Sequence, residues 1–212
     1  MAAELRKFLR FGHHEALAVT SNNDLTPHAS PMGVEFSGTQ LLLRPYTSTT
    51  TYRNLMVRPY LTLNFTQDAR YFFQALLRPG ELGFRTGRRG NVPVICGDFD
   101  LYVEGHASLA GVEGVRAVFL IDFDDVYTGT GSRLALSRAN NALLEALTYY
   151  TKVKALAGAG SEHADAVSDY LNLIELNLTL VRRLGSGELV DMADELEEAL
   201  RRLVGGGLRQ GW

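Results

Sequence analysis

The chain has 212 residues and a mass of 23.4 kDa, and 46% of it is apolar, enough to bury a real core and too much for a disordered chain. Lys and Arg number 21 against 24 Asp and Glu, a net charge of −3, so no global positive field exists to hold a nucleic acid. A single cysteine, Cys96, excludes a disulfide framework and a thiolate zinc site and suits the reducing cytoplasm, and no stretch approaches the roughly 20 apolar residues that span a bilayer.

Glu4, Arg6, Lys7 and Arg10 interrupt the N-terminus, which therefore lacks the apolar run of a signal peptide and reads as a short helix or a lead-in strand. From Glu15 to about Val126 short β-like runs alternate with turns. A strand is expected over Ala16 to Thr20, then a hairpin turn in which Ser21-Asn22-Asn23-Asp24 supply the positive φ angles, then a strand from Pro27 to Phe36. Ser37-Gly38-Thr39 turns the chain into Gln40 to Arg44, whose triple leucine predicts a strand buried on both faces.

Five hydroxyls, Thr47 to Thr51, break the β pattern, and Tyr52, Leu55 and Met56 then mark a helix face that Pro59 ends. Tyr60 to Thr66 alternates as a strand, Asp68 is a candidate N-cap for a helix from Ala69 to Leu77, and Pro79-Gly80 stops it. Leu82 to Pro93, with Gly83, Gly87 and Gly90, reads as a mobile loop, and strands return at Leu101 to Ala107 and Val115 to Asp122. Beyond Gly129-Thr130-Gly131-Ser132 three amphipathic stripes predict helices: Leu136 to Val153, Val167 to Val181 and Leu189 to Leu203, separated by Gly158-Ala159-Gly160 and Gly185-Ser186-Gly187. The expected organisation is α+β, mainly β, with one domain over residues 1–128 and a helical subdomain over 129–212.

Thr47, Ser48, Thr49, Thr50 and Thr51 open a helix, where unpaired N–H groups and the positive end of the dipole favour an anion and hydroxyls add donors. Arg44 before the run and Arg53 one turn into the helix would add charge-assisted bonds. The plainer reading is an over-capped helix, because one hydroxyl suffices for a cap. Upstream, Pro31 removes a ladder donor from its strand and Gly33 removes a side chain, which marks either close approach of a ligand or a simple edge irregularity.

The blocks Ala29-Ser30-Pro31-Met32-Gly33-Val34, Tyr46-Thr47-Ser48-Thr49-Thr50-Thr51-Tyr52-Arg53-Asn54-Leu55 and Leu63-Asn64-Phe65-Thr66-Gln67-Asp68 closely resemble an archaeal family catalogued as domain of unknown function 447, within the FMN-binding split-barrel flavoproteins. The resemblance runs roughly from residue 13 to 155. It implies a six-stranded split barrel followed here by the helical subdomain, a homodimer, and FMN near the subunit interface. It further implies the FMN phosphate at Thr47 to Thr51 with Asn54 close by. The ring would lie along Ser30, Pro31, Met32 and Gly33, and Asn64 and Thr66 would face the ribityl chain or ring edge. Where the family commonly shows Lys-Gly-Ser before the Thr-Tyr pair, this chain has Thr47-Ser48-Thr49, and Arg44 is the candidate replacement for the missing cation. Arg53 or Arg58 would stand near the flavin N1/O2 edge.

Other signals carry less. His13-His14-Glu15 has metal-ligating residue types, but strand neighbours face opposite ways and a third ligand is missing. His28, His106 and His163 stand alone, Gly129 to Ser132 lacks the lysine of a phosphate loop, and Cys96 reads as a buried structural thiol. Arg85, Arg88 and Arg89 read as a solvated basic loop, with a phosphorylated substrate or RNA as the alternative. The expected function is an FMN-dependent oxidoreductase or flavin reductase that takes a nicotinamide or pterin substrate. The alternatives are a non-catalytic flavin or pterin carrier and a scaffold whose helices bind a protein.

Overall fold

The first hairpin shows how the sequence builds the fold. In the computed structural model, which describes residues 2–9, 12–37, 39–131, 138–157, 163–185 and 187–207, a short helix α1 (Ala2–Phe8) leads into β1 (Gly12–Ser21) and β2 (Pro27–Phe36). These strands pair antiparallel with Ala16 opposite Met32 and Ala18 opposite Ser30. Side chains alternate across a strand, so Ala16, Ala18, Val34 and Phe36 share the face that enters the core. The chain continues through β3 (Leu41–Leu43), α2 (Thr50–Val57), β4 (Tyr60–Phe65), α3 (Ala69–Leu77), a 3-10 turn (Pro79–Glu81), β5 (Phe84–Arg85) and β6 (Val94–Ile95). Two long strands, β7 (Leu101–Glu113) and β8 (Arg116–Thr128), complete it.

Six strands close into an antiparallel barrel in the order β1-β2-β3-β8-β7-β4, and β5 and β6 form a separate two-stranded sheet. Leu41, Leu43, Leu61, Leu63, Val103 and Phe119 fill the interior, joined by Leu5 of α1 and Leu55 of α2. β3 pairs with β2 only over Val34–Phe36, so residues 27–33 of β2 have a strand neighbour on one side only.

Several expectations change here. Leu41 and Leu43 are fully buried but Leu42 only half, so β3 is not buried on both faces. In β4 Leu61, Leu63 and Phe65 face the core, yet Thr62 and Asn64 on the opposite face are buried as well, because Pro93 and Ile95 lie against them. That contact also overturns the mobile loop. The 84–95 hairpin is held by Glu104, whose 3% exposed carboxylate accepts the N–H groups of Arg88 (2.5 Å) and Arg89 (2.8 Å) and the Tyr127 hydroxyl (2.7 Å). Cys96 is exposed, not buried. β7 and β8 run well past Ala107 and Asp122. Their pairing continues through exposed residues around Leu109 to Val112, where no apolar pattern announces a strand.

The chain divides into two compact units, residues 1–66 with 74–133 and residues 67–73 with 134–212. The second holds α4 (Arg138–Leu156), α5 (Ala164–Leu184) and α6 (Gly187–Gly207), which bury Leu143 and Leu147, Ile174 and Leu178, and Met192 and Leu196 from the predicted stripes. Leu136, Gly38, Ser132, Gly158 to Gly160 and Ser186 lie outside the described residues. Asp68 caps α3, accepting from Arg70 N–H at 3.0 Å, and Asn140 of α4 reaches both Ala69 N–H (3.0 Å) and Gln67 C=O (2.7 Å). No helix among the described residues is long and apolar enough to cross a membrane.

In the β1–β2 turn the positive φ falls on Leu25 (68°) and not on the predicted Asn or Asp residues. Asn22 C=O accepts from Leu25 N–H at 2.9 Å, and Asp24 accepts from Thr26 N–H and hydroxyl, which holds the Asp24 carboxyl below its usual range. The Leu25 side chain is 65% exposed, so it gains little from burial. The left-handed region costs an L-residue about 1–2 kcal/mol, and the added unfolded-state entropy of glycine offsets about half of that. Leu25→Gly should therefore raise stability by about 0.5–1 kcal/mol, seen as a higher urea midpoint at unchanged slope.

Candidate functional site

The hydroxyl run folds as a turn and a helix start. Tyr46 C=O accepts from Thr49 N–H (3.0 Å) and from the Thr49 hydroxyl (2.7 Å), and Thr49 Oγ1 in turn accepts from Tyr52 N–H at 3.3 Å, making Thr49 the N-cap of α2. Thr47 is tied by its N–H to Val115 C=O at 2.9 Å, in the turn between β7 and β8. Thr51 is buried, and its hydroxyl meets that of Ser30 on β2 at 2.7 Å. The run thus does three jobs: Thr47 and Thr49 shape the turn, Thr51 docks the helix on β2, and Ser48 stays exposed.

What remains at the helix start is a set of donors. Among the described residues no acceptor faces the N–H groups of Thr50 and Thr51, as expected for the first turn of a helix. Arg53 folds back over this turn, donating from Nη2 to Thr50 Oγ1 (3.0 Å) and from Nη1 to Ser48 C=O (3.4 Å). The Arg53 guanidinium, the first-turn N–H groups and the positive end of the helix dipole therefore lie together at the start of α2, next to the exposed Ser48. This is chemistry suited to a doubly charged phosphate ester, so the residues fit the phosphate of a flavin mononucleotide. A cavity of about 840 Å³ opens beside it, lined by Thr50, Arg53, Tyr52, Met56, Asn22 and Asp24.

Four predicted site residues have partners within the protein. Arg44 forms an ion pair with Glu35 and holds that carboxyl below its usual range, whereas Arg53 reaches over the first turn of α2. Asn54 is buried and donates to Thr20 Oγ1 (3.0 Å) and Asn22 Oδ1 (3.1 Å), clamping α2 against the end of β1. Asn64 is fully buried, donating to Leu17 C=O (3.0 Å) and Thr62 Oγ1 (3.1 Å) and accepting from Ile95 N–H (3.0 Å), so it faces protein on every side. Thr66 bonds to Asp98 C=O at 3.4 Å. Arg58 lies about 12 Å from Thr50, at the far end of α2, with Nη1 buried and unpartnered.

Ser30, Pro31, Met32 and Gly33 lie on the open part of β2. Ser30 is directed to Thr51, Met32 packs on the core, and Gly33 is exposed opposite Glu15. Alternate backbone groups along residues 27–33 point away from β1 with no strand to receive them, an edge that a flat ring with polar borders can meet.

Sequence reading missed Arg116, whose guanidinium stacks 4.4 Å from the Tyr46 ring and donates to its hydroxyl at 2.8 Å; the partners lie 70 residues apart, beyond any local pattern. It also missed Glu104 and Tyr127, whose hydroxyl is pushed up by burial and by its bond to Glu104. Among the described residues no group of three or more His, Cys, Asp or Glu could hold a metal ion. Removing the Asn64 side chain would strand the Ile95 N–H and the Leu17 C=O in the interior. Asn64→Ala is expected to cost about 3 kcal/mol by chemical denaturation, a stability effect larger than that of any exposed hydroxyl of the run.

Residues 14–97 match the family model described as protein of unknown function (DUF447) N-terminal domain. No curated protein matches the chain significantly. Among solved structures, the fold is similar to that of an FMN-bound DUF447 protein from Methanosarcina mazei, at 23% identity and a TM-score of 0.72 over 92% of this chain and 99% of that one. Weaker similarity extends to the flavoredoxin of Desulfovibrio vulgaris (20% identity, TM-score 0.46, 57% of this chain and 73% of that one). A flavin reductase complexed with NADP+ is similar at the same level (19%, 0.46, 63% and 90%). The six-stranded barrel with its C-terminal helices is the split-barrel architecture, and residues 14–97 are similar to the DUF447 N-terminal domain.

Proposed function

We propose that the chain binds FMN, with the phosphate at the N-terminus of α2 and the ring along the open edge of β2, and that it acts as a cytoplasmic, homodimeric FMN-dependent oxidoreductase or flavin reductase. The observation that carries this reading is the Arg53 guanidinium held over the first turn of α2 by neutral oxygens, next to that turn's N–H groups. The FMN held by the similar Methanosarcina mazei protein supports it.

Within this reading each residue has a distinct task. Arg53 and the first-turn N–H groups neutralise the phosphate, Thr49 keeps the turn in shape, and Ser30 with Thr51 fixes the distance between cradle and strand. Of the Met32 and Gly33 N–H groups, which point to opposite sides of β2, the one directed away from β1 is the available donor toward the ring edge, since Pro31 has none. Bound FMN would supply hydride and single-electron transfer, leaving the protein to hold the ring, tune its potential and admit a nicotinamide or pterin partner. The homodimer is supported by the tip of the β7–β8 hairpin. It exposes Leu109 (43%), Val112 (54%) and Val115 (50%) and adjoins the cradle through the bond from Thr47 to Val115, so a second copy seated there would cover apolar surface beside the phosphate.

Purified protein mixed with FMN should show a visible flavin band and micromolar binding, and Arg53→Ala should weaken it by about tenfold or more, while Arg44→Ala leaves it unchanged. Absence of both band and binding would end the flavin reading. Anaerobic mixing of the holoprotein with NADH or NADPH then decides between catalyst and carrier: bleaching of the band marks the oxidoreductase, and a stable band marks the carrier.

A further inference from the structure

The 84–95 hairpin carries three arginines, and its construction is unlike that of a solvated loop. Tyr102 and Tyr127, opposite each other on β7 and β8, stack at 5.3 Å and 26°. Arg85 lies 5.1 Å above the Tyr102 ring, and Arg88 lies 4.0 Å above the Tyr127 ring. Arg89 donates to Asp124 C=O at 2.7 Å. Beneath them the backbone is fixed by Glu104, and it approaches so closely that a Cβ on Gly87 would sit 2.7 Å from both carboxylate oxygens.

All three arginines are exposed, and among the described residues none of their guanidiniums forms an ion pair. The acids nearby are occupied. Glu104 serves the two backbone N–H groups and Tyr127, Asp124 faces His106, and Asp125 accepts from Val126 N–H. The Arg85 and Arg88 guanidiniums are thus held over the tyrosine rings, Arg85 with a side-chain hydrogen bond to Tyr102 as well, while both residues stay exposed. A fork already held in place loses less freedom when it grips a phosphate than a free arginine does.

We propose that the Arg85–Arg88–Arg89 platform is a second anion site, one that takes the phosphate or pyrophosphate group of a small phosphorylated molecule. Compactness selects the ligand class: three arginines lie within five residues on a chain of net charge −3, which suits a concentrated small anion and not the long basic stripe that an RNA requires. The site shares no residue with the α2 cradle and does not depend on the flavin reading.

The test is calorimetric titration of inorganic pyrophosphate into the full chain with FMN in excess, repeated with Arg85→Ala, Arg88→Ala, Arg88→Lys, Tyr127→Leu and, as the cradle control, Arg53→Ala. The expected result is submillimolar binding that weakens about tenfold or more in both alanine variants and several-fold in Arg88→Lys, which keeps the charge but not the fork, while Arg53→Ala binds as the parent does. Tyr127→Leu should also weaken binding, because the stack is lost. Unchanged thermal midpoints in Arg85→Ala and Arg88→Lys tie the loss to the platform and not to unfolding. The proposal is overturned if millimolar pyrophosphate gives no heat, if the alanine variants bind as the parent does, or if only Arg53→Ala loses binding. Tighter binding of a twelve-nucleotide RNA than of pyrophosphate would equally overturn it. Whether FMN binds is read separately from the flavin absorbance, so failure of one proposal does not conceal failure of the other.

Discussion

Between Pro27 and Gly33 strand β2 has a strand on one side only, because β3 joins it for just three residues before the chain leaves to form α2. An unpaired edge inside a barrel leaves backbone groups without partners and a gap in the wall. The chain answers with α2, which brings Leu55 into the core, ties Asn54 to Thr20 and Asn22, and sets Thr51 against Ser30. The same placement that fills the gap aims the free end of the helix at solvent beside the open edge. Wall, plug and exposed helix start are consequences of one short pairing.

Two different charges of the same kind are handled in opposite ways in this barrel. Arg44 is neutralised by Glu35, whereas Arg53 is held by neutral oxygens, the Thr50 hydroxyl and the Ser48 carbonyl, which orient it without cancelling its charge. Only the second arrangement leaves a full positive charge available to a visitor. Glu104 shows the complementary economy, a buried carboxylate satisfied by backbone N–H groups and a phenol so that the arginines above it remain unpaired.

The fold was largely legible because its signals are local. The boundaries of β2 and α3 follow from Pro27, Phe36, Asp68 and Pro79, and the three helices follow from their apolar stripes. The site was legible in part. The hydroxyl run announced a helix start, but whether a polar side chain there is free or engaged depends on partners far away in sequence: Asn54 on Thr20, Asn64 on Leu17 and Ile95. Register explains the case of Asn64. Pro31, Leu17, Asn64, Tyr102 and Tyr127 are successive cross-strand neighbours, so the amide stands two strands from the open edge, in the middle of a covered row. Glycine spacing misled for the same reason. In the 82–93 segment Gly87 admits a buried acid at close quarters, a long-range demand that looks like looseness when read along the chain.

The clamp on Glu104 also bears on how the molecule breathes. The amides of Arg88 and Arg89 sit in what looks like a surface loop, yet their hydrogens are held by a carboxylate anchored in β7. Exchange with solvent deuterium at these two positions requires the hairpin to part from Glu104, so their protection reports that contact and not the openness of a surface loop.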